Sequence, residues 1–140
     1  MRLRGTNIMR HRTILLAGLM AIALSAAGCG TSQQRASYTD LPIAAKSTPT
    51  LDQVSAAIMR AGPAKQWQMK QVRPGLVEAS RSWDKGKHQI VVNVTYTATR
   101  YSIAYKSSAN LKARGGSIHW AYNREVNRLN DEIQRQTAAL

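Results

Sequence analysis

Cysteine is nearly absent from this chain: Cys29 is the only one in 140 residues. One thiol excludes an internal disulfide and any zinc site built on cysteine pairs. Histidine is also scarce. Beyond the N-terminal stretch only His88 and His119 remain, with no HxxxH spacing, so the three or four converging ligands of a metal site are not offered. No metal and no other cofactor is expected. GxSxG, the signature of one large hydrolase class, does not occur. Acids are few, with 7 Asp and Glu against 20 Lys and Arg.

The first twelve residues carry Arg2, Arg4, Arg10 and Arg12 and no acid, and Thr13 to Ala27 is an almost unbroken apolar run of 15 residues ending in small side chains. A basic start, a short apolar run and small residues make an export signal. The run is shorter than the ~20 apolar residues that span a bilayer as a helix. Residues 1–28 are therefore expected to be a cleaved signal peptide.

Leu24-Ser25-Ala26-Ala27-Gly28-Cys29 resembles a bacterial lipobox, in which small residues precede a cysteine that becomes the lipidated mature N-terminus. Ala27 and Gly28 fit that pattern, whereas Ala26 stands where leucine is commoner. The resemblance implies a diacylglycerol on the Cys29 sulfur and two or three acyl chains of the palmitate kind in all. One chain anchors a protein only marginally, at about 0.8 kcal/mol per buried CH2, while several make release very slow. Lipoproteins kept at the inner membrane tend to carry aspartate after the cysteine. Gly30 therefore points to the outer membrane, with the domain facing the periplasm. The competing reading is an ordinary secretory signal that leaves Cys29 as an odd thiol.

Without residues 1–28 and their four arginines, 112 residues remain with 16 basic and 7 acidic side chains, a net charge of +9. Export removes nucleic acid as a partner. The anions left are lipid head groups, lipopolysaccharide phosphates, anionic glycans and acidic protein surfaces. A solvated basic surface with no ligand is the plainer reading of the same charge.

Residues 29–49 are rich in Ser, Thr, Gln and Ala without a sustained period. They predict a lipidated N-terminus and flexible tether, although Leu41-Pro42-Ile43 could instead pack as an extended arm. Residues 50–140 predict one domain. Thr50-Leu51-Asp52-Gln53 has the form of a capping box, and Leu51, Val54, Ile58 and Ala61 share a helical face up to Gly62-Pro63. The period then changes to two. Trp67 to Gln71, Val77 to Trp83, His88 to Thr97 and Tyr101 to Lys106 predict four strands, with turns at Arg73-Pro74-Gly75 and Asp84 to Lys87. After the loop Ser107 to Gly116, Ser117 can cap a second helix. Ile118, Tyr122, Val126, Leu129 and Ile133 of that helix fall within about 80° of arc. The expected fold class is α+β: helix, four-stranded antiparallel meander, helix, with both helices on one face of the sheet.

At YSIAYKSSANLK (Tyr101–Lys112) and IHWAYNREVNRL (Ile118–Leu129) the chain resembles a group of small bacterial lipoproteins with no assigned activity. Trp67, Pro74-Gly75 and His88 look similar too, so the resemblance covers roughly residues 50–135. It implies the helix, sheet and helix order and carries over no functional residue.

Trp120 projects opposite the Ile118 and Leu129 stripe, and Arg124 and Arg128 follow on nearby turns. A tryptophan flanked by arginines suits an interface anchor or an anionic glycan. Alternatively Trp120 folds back beneath the Ser107 to Gly116 loop, since tryptophan is rarely left open to water. The function expected is a non-catalytic accessory or adaptor, attached to the membrane through Cys29 and meeting envelope proteins or anionic glycans. A basic module for anionic lipopolysaccharide or peptidoglycan is the alternative. A cell-wall or lipid hydrolase using His119 ranks third, because a lone histidine at a helix start is more often structural.

Overall fold

The computed structural model describes residues 31–140. The expected signal peptide 1–28 and the lipidation site Cys29 lie outside the described residues. In chain order the elements are β1 (Ser32–Gln34), β2 (Tyr38–Pro42), α1 (Leu51–Ala64), β3 (Gln68–Arg73), β4 (Leu76–Trp83), β5 (His88–Tyr96), β6 (Arg100–Ala109), β7 (Ser117–His119) and α2 (Trp120–Thr137).

This order corrects the expected architecture. A five-stranded antiparallel sheet, β2-β6-β5-β4-β3, and a second sheet made of β1 and β7 replace the four-stranded meander between two helices. The additional strands come from the stretch expected to be a tether. Tyr38 pairs with Ile103, Leu41 with Tyr101 and Pro42 with Arg100, with a bulge between Tyr38 and Leu41. Asp40 takes a positive φ of 55° in that bulge, which shifts the side-chain alternation and breaks its period of two. Pro42 is tolerated because β2 is an edge strand and its missing N–H faces no partner. Ala36, Tyr38, Leu41 and Ile43 all pack, partly buried, against the core.

α1 starts where its local chemistry dictates. The Thr50 hydroxyl accepts the Gln53 amide at 3.2 Å, and the Gln53 side chain accepts the Thr50 amide at 2.8 Å. Val54, Ile58 and Ala61 are buried, while Leu51 stays exposed. Pro63 lies in the last turn, and the Gly62 carbonyl then takes the amides of Lys65 and Trp67, both at 2.9 Å, to reverse the chain. A side chain on Gly62 would collide with Met69, so α1 and β3 meet closely only because this residue is glycine.

β4 and β5 pair without a break from Leu76↔Thr95 to Trp83↔His88. Their inner phase, Val77, Ala79, Ile90, Val92 and Val94, joins Tyr101 and Ile103 of β6 in one core with Val54 and Ile58 of α1 and Val126, Leu129 and Ile133 of α2. Each large aliphatic side chain buried there contributes about 1.5–3 kcal/mol. Tyr96 carries its hydroxyl into this core and donates it to Ser55 Oγ at 2.8 Å, and Tyr101 donates to Asn130 Oδ1 at 2.7 Å. Burial pushes both Tyr101 and Tyr122 up to about 12. The opposite face of the sheet, with Asn93, Thr95, Ser102 and Lys106, is left open and polar.

α2 begins two residues later than a cap at Ser117 would have it. Ser117–His119 is drawn into β7 by pairing with β1, Ser32 opposite His119, so the helix starts at Trp120 and His119 becomes the N-cap. Its Nδ1 accepts the Ala121 amide at 3.2 Å.

Candidate functional site

On the inner phase of β4, after Val77 and Ala79, the sequence places Arg81 where an apolar residue is expected. The reason lies on α2. Glu125 falls inside the buried arc of that helix and is only 1 % exposed. Arg81 Nε sits 3.1 Å from Glu125 Oε2, buried and without the alignment of a true hydrogen bond. Its other guanidinium nitrogens are held by the Lys65 carbonyl and by Gln66 Oε1 at 3.2 Å. Arg124 grips the other carboxylate oxygen of Glu125 at 2.7 Å, and Arg128 approaches to 3.8 Å.

Two turns further along, Glu132 repeats the arrangement at 2 % exposure. Arg135 forks onto both of its oxygens, Gln136 donates at 2.8 Å, and Lys65 stands 3.5 Å away. The Arg135 hydrogen bonds, helped by Gln136, hold the Glu132 carboxyl down at about 2 against the opposing effect of burial. Lys65, Arg81, Arg124, Arg128 and Arg135 thus surround two carboxylates. The excess is positive, and the outer edges of Arg124, Arg128 and Arg135 face solvent. A shallow cavity of about 140 Å³ opens between Ala64, Lys65, Gln66, Arg81 and Arg128.

Trp120 closes one end of this face. It is 40 % exposed. The Arg124 guanidinium carbon lies 4.7 Å from its ring centroid, a cation–π contact, and the His119 ring centroid lies 5.4 Å away, tilted by 35°. At 100° per residue Trp120, Arg124, Arg128 and Arg135 lie within about 80° of one another on the side of α2 that turns away from the core. The structure therefore sets Trp120 directly against Arg124 and brings in Arg128 through their shared carboxylate. Arg81, Lys65 and Arg135 complete the cluster. An arginine in the apolar phase of a strand and a glutamate in the apolar arc of a helix were the signals that the two belong together.

The two histidines also converge. His88 and His119 line one cleft of about 120 Å³ with Trp83, Asn110, Leu111 and Ala121. His88 stacks on Trp83 at 5.4 Å and shares a hydrogen bond with the Asn110 carbonyl at 3.2 Å. His119 uses Nδ1 to cap α2, so both rings have structural work at this end of the sheet. Ser82 and Lys85 have the SxxK spacing, but they flank a hairpin turn and are exposed instead of sharing a helical face.

Among the described residues no group of three or more His, Cys, Asp and Glu side chains is placed to hold a metal ion. Among them, too, no helix is long and apolar enough to cross a membrane. The chemistry on offer at the α2 face is charge and area: planar guanidinium groups that bind phosphate or carboxylate oxygens in pairs, beside an indole ring. Compared with protein-family models, with curated proteins and with solved structures, the chain finds no match.

Proposed function

We propose that the chain is a lipid-anchored protein of the bacterial envelope, attached through Cys29 to the outer membrane on its periplasmic side, whose domain serves as a non-catalytic accessory or adaptor. The position of the only cysteine carries this reading: it follows the small residues that end the apolar run of a basic, acid-free N-terminus. Protein recovered from membranes is expected to start at Cys29 and to show the mass of acyl chains there. Crosslinking in intact cells is expected to trap a defined envelope protein, in a yield that holds when salt is raised before the crosslinker is added. Recovery of the protein free in the cytoplasm, unacylated and with residues 1–28 intact, would refute it. So would cleavage of cell-wall or ester substrates that is lost in His119→Ala.

A second reading makes the domain a basic module for anionic lipopolysaccharide or peptidoglycan. The excess of cations over carboxylates around Glu125 and Glu132 favours it. Exposed charges are screened beyond about 10 Å at 0.1 M salt and about 3 Å at 1 M. Binding of this kind is expected to fall steeply with ionic strength, whereas an adaptor interface is expected to hold.

A further inference from the structure

The backbone amide of Trp120 donates to the carbonyl of Thr31 at 2.9 Å, and Ser32 lies opposite His119 in the β1–β7 pair. The first described residue therefore lies beside the first turn of α2. Thr31 is two residues after Cys29 in the sequence. Two residues span at most roughly 7 Å even when fully extended. We infer that the face formed by Trp120, Arg124 and Arg128 is a membrane-contact surface, laid on the phospholipid head groups of the bilayer that holds the acylated Cys29. This rests on the anchoring proposed above and specifies what the anchored domain does with its basic face.

The geometry requires little more. A diacylglycerol on a cysteine sits at the level of the lipid head groups, a zone about 5–8 Å deep on each side of the hydrocarbon. With a leash of roughly 7 Å, the residues around Thr31 cannot stand clear of that zone. Those residues are suited to it. Trp120 is one of three large apolar side chains exposed among the described residues, and indole rings settle at the boundary between head groups and chains. Arg124, stacked on the indole, and Arg128, one turn further, supply positive charge for lipid phosphates. The face also lies on the outer side of the helix layer. The open polar face of the five-stranded sheet, with Thr95, then points away from the bilayer and is the side offered to a partner.

The test uses protein extracted from membranes, with its acyl chains verified by intact mass, and placed in vesicles of phosphatidylcholine and phosphatidylglycerol whose acyl chains carry bromine. Bromine quenches indole fluorescence only at close range. Trp67 is buried and Trp83 half-buried, so the expected result is marked quenching in the native chain that is mostly lost in Trp120→Tyr. A bimane label on Thr95→Cys is expected to stay unquenched, which checks the orientation without disturbing the Arg cluster. Acylated protein whose Trp120→Tyr form is quenched as much as the native chain overturns the inference and leaves the anchor standing. The same holds if Thr95 is quenched in place of Trp120, or if a soluble anionic glycan changes Trp120 emission while lipid bromine does not. A mass without acyl chains is a different failure, that of the anchor, and removes the inference with it.

Discussion

Arg81 Nε lies 3.1 Å from Glu125 Oε2, and this contact ties the inner face of β4 to the buried side of α2. Removing one partner leaves the other as an uncompensated charge in the interior, which costs about 3–5 kcal/mol. Glu125→Ala is expected to lower the unfolding free energy by an amount in that range. Replacing both, Arg81→Met with Glu125→Leu, is expected to recover most of the loss, as read by chemical unfolding.

The arm at residues 31–43 is part of the fold. Leu41→Ala removes a half-buried side chain that packs against the core from the strand paired with β6, and is expected to cost about 1–2 kcal/mol, less than the 2–5 of a fully buried leucine. A free tether would give no change in the thermal midpoint.

Acid should weaken the protein through Glu132. Its carboxyl is held at about 2 in the folded state, chiefly by Arg135, against about 4.3 in an unfolded chain. The folded pKa is lowered, so the stabilisation is complete above the unfolded value and is lost as pH falls through the folded one. Between about pH 4.3 and about pH 2 the thermal midpoint of the native chain is expected to drop more steeply than that of Glu132→Gln. At neutral pH the variant is expected to be less stable, and the gap should narrow across that window.

Gly62→Ala sets a methyl group against the Met69 side chain at the crossing of α1 and β3. Overpacking of this kind costs about 1–3 kcal/mol. Shortening the neighbour at the same time, Gly62→Ala with Met69→Ala, is expected to relieve the clash, giving a smaller combined loss than the two single losses added. Urea unfolding of the three variants measures this.

The parts of the fold visible in the sequence are those governed by neighbours along the chain. Thr50 and Gln53 announce α1 because a capping box closes within one turn. Ile90, Val92, Val94 and Tyr96 announce β5 because one buried face enforces a period of two. At β2, only the apolar Leu41-Pro42-Ile43 suggested a packed extended arm, because the bulge and Pro42 break the alternation of this edge strand, and β1 is too short at three residues to show any period. The late start of α2 follows from β1: only when Ser32–Gln34 is present does Ser117–His119 have a strand to pair with. The spacing of Trp120, Arg124 and Arg128 was legible as one side of a helix. That Arg81 and Lys65 reach the same cluster was not, since they arrive from other elements.

Composition and local order alone determined the basic charge, the lone cysteine at the end of the apolar run, the capped first helix and the alternating central strands, because each depends on residues within a few positions of one another. Tertiary structure decided that the stretch at residues 32–42 forms two strands, and that Thr31 lies against Trp120. Those outcomes depend on partners far along the chain, and a strand's unpaired N–H and C=O groups take whichever partner the assembled core brings within reach.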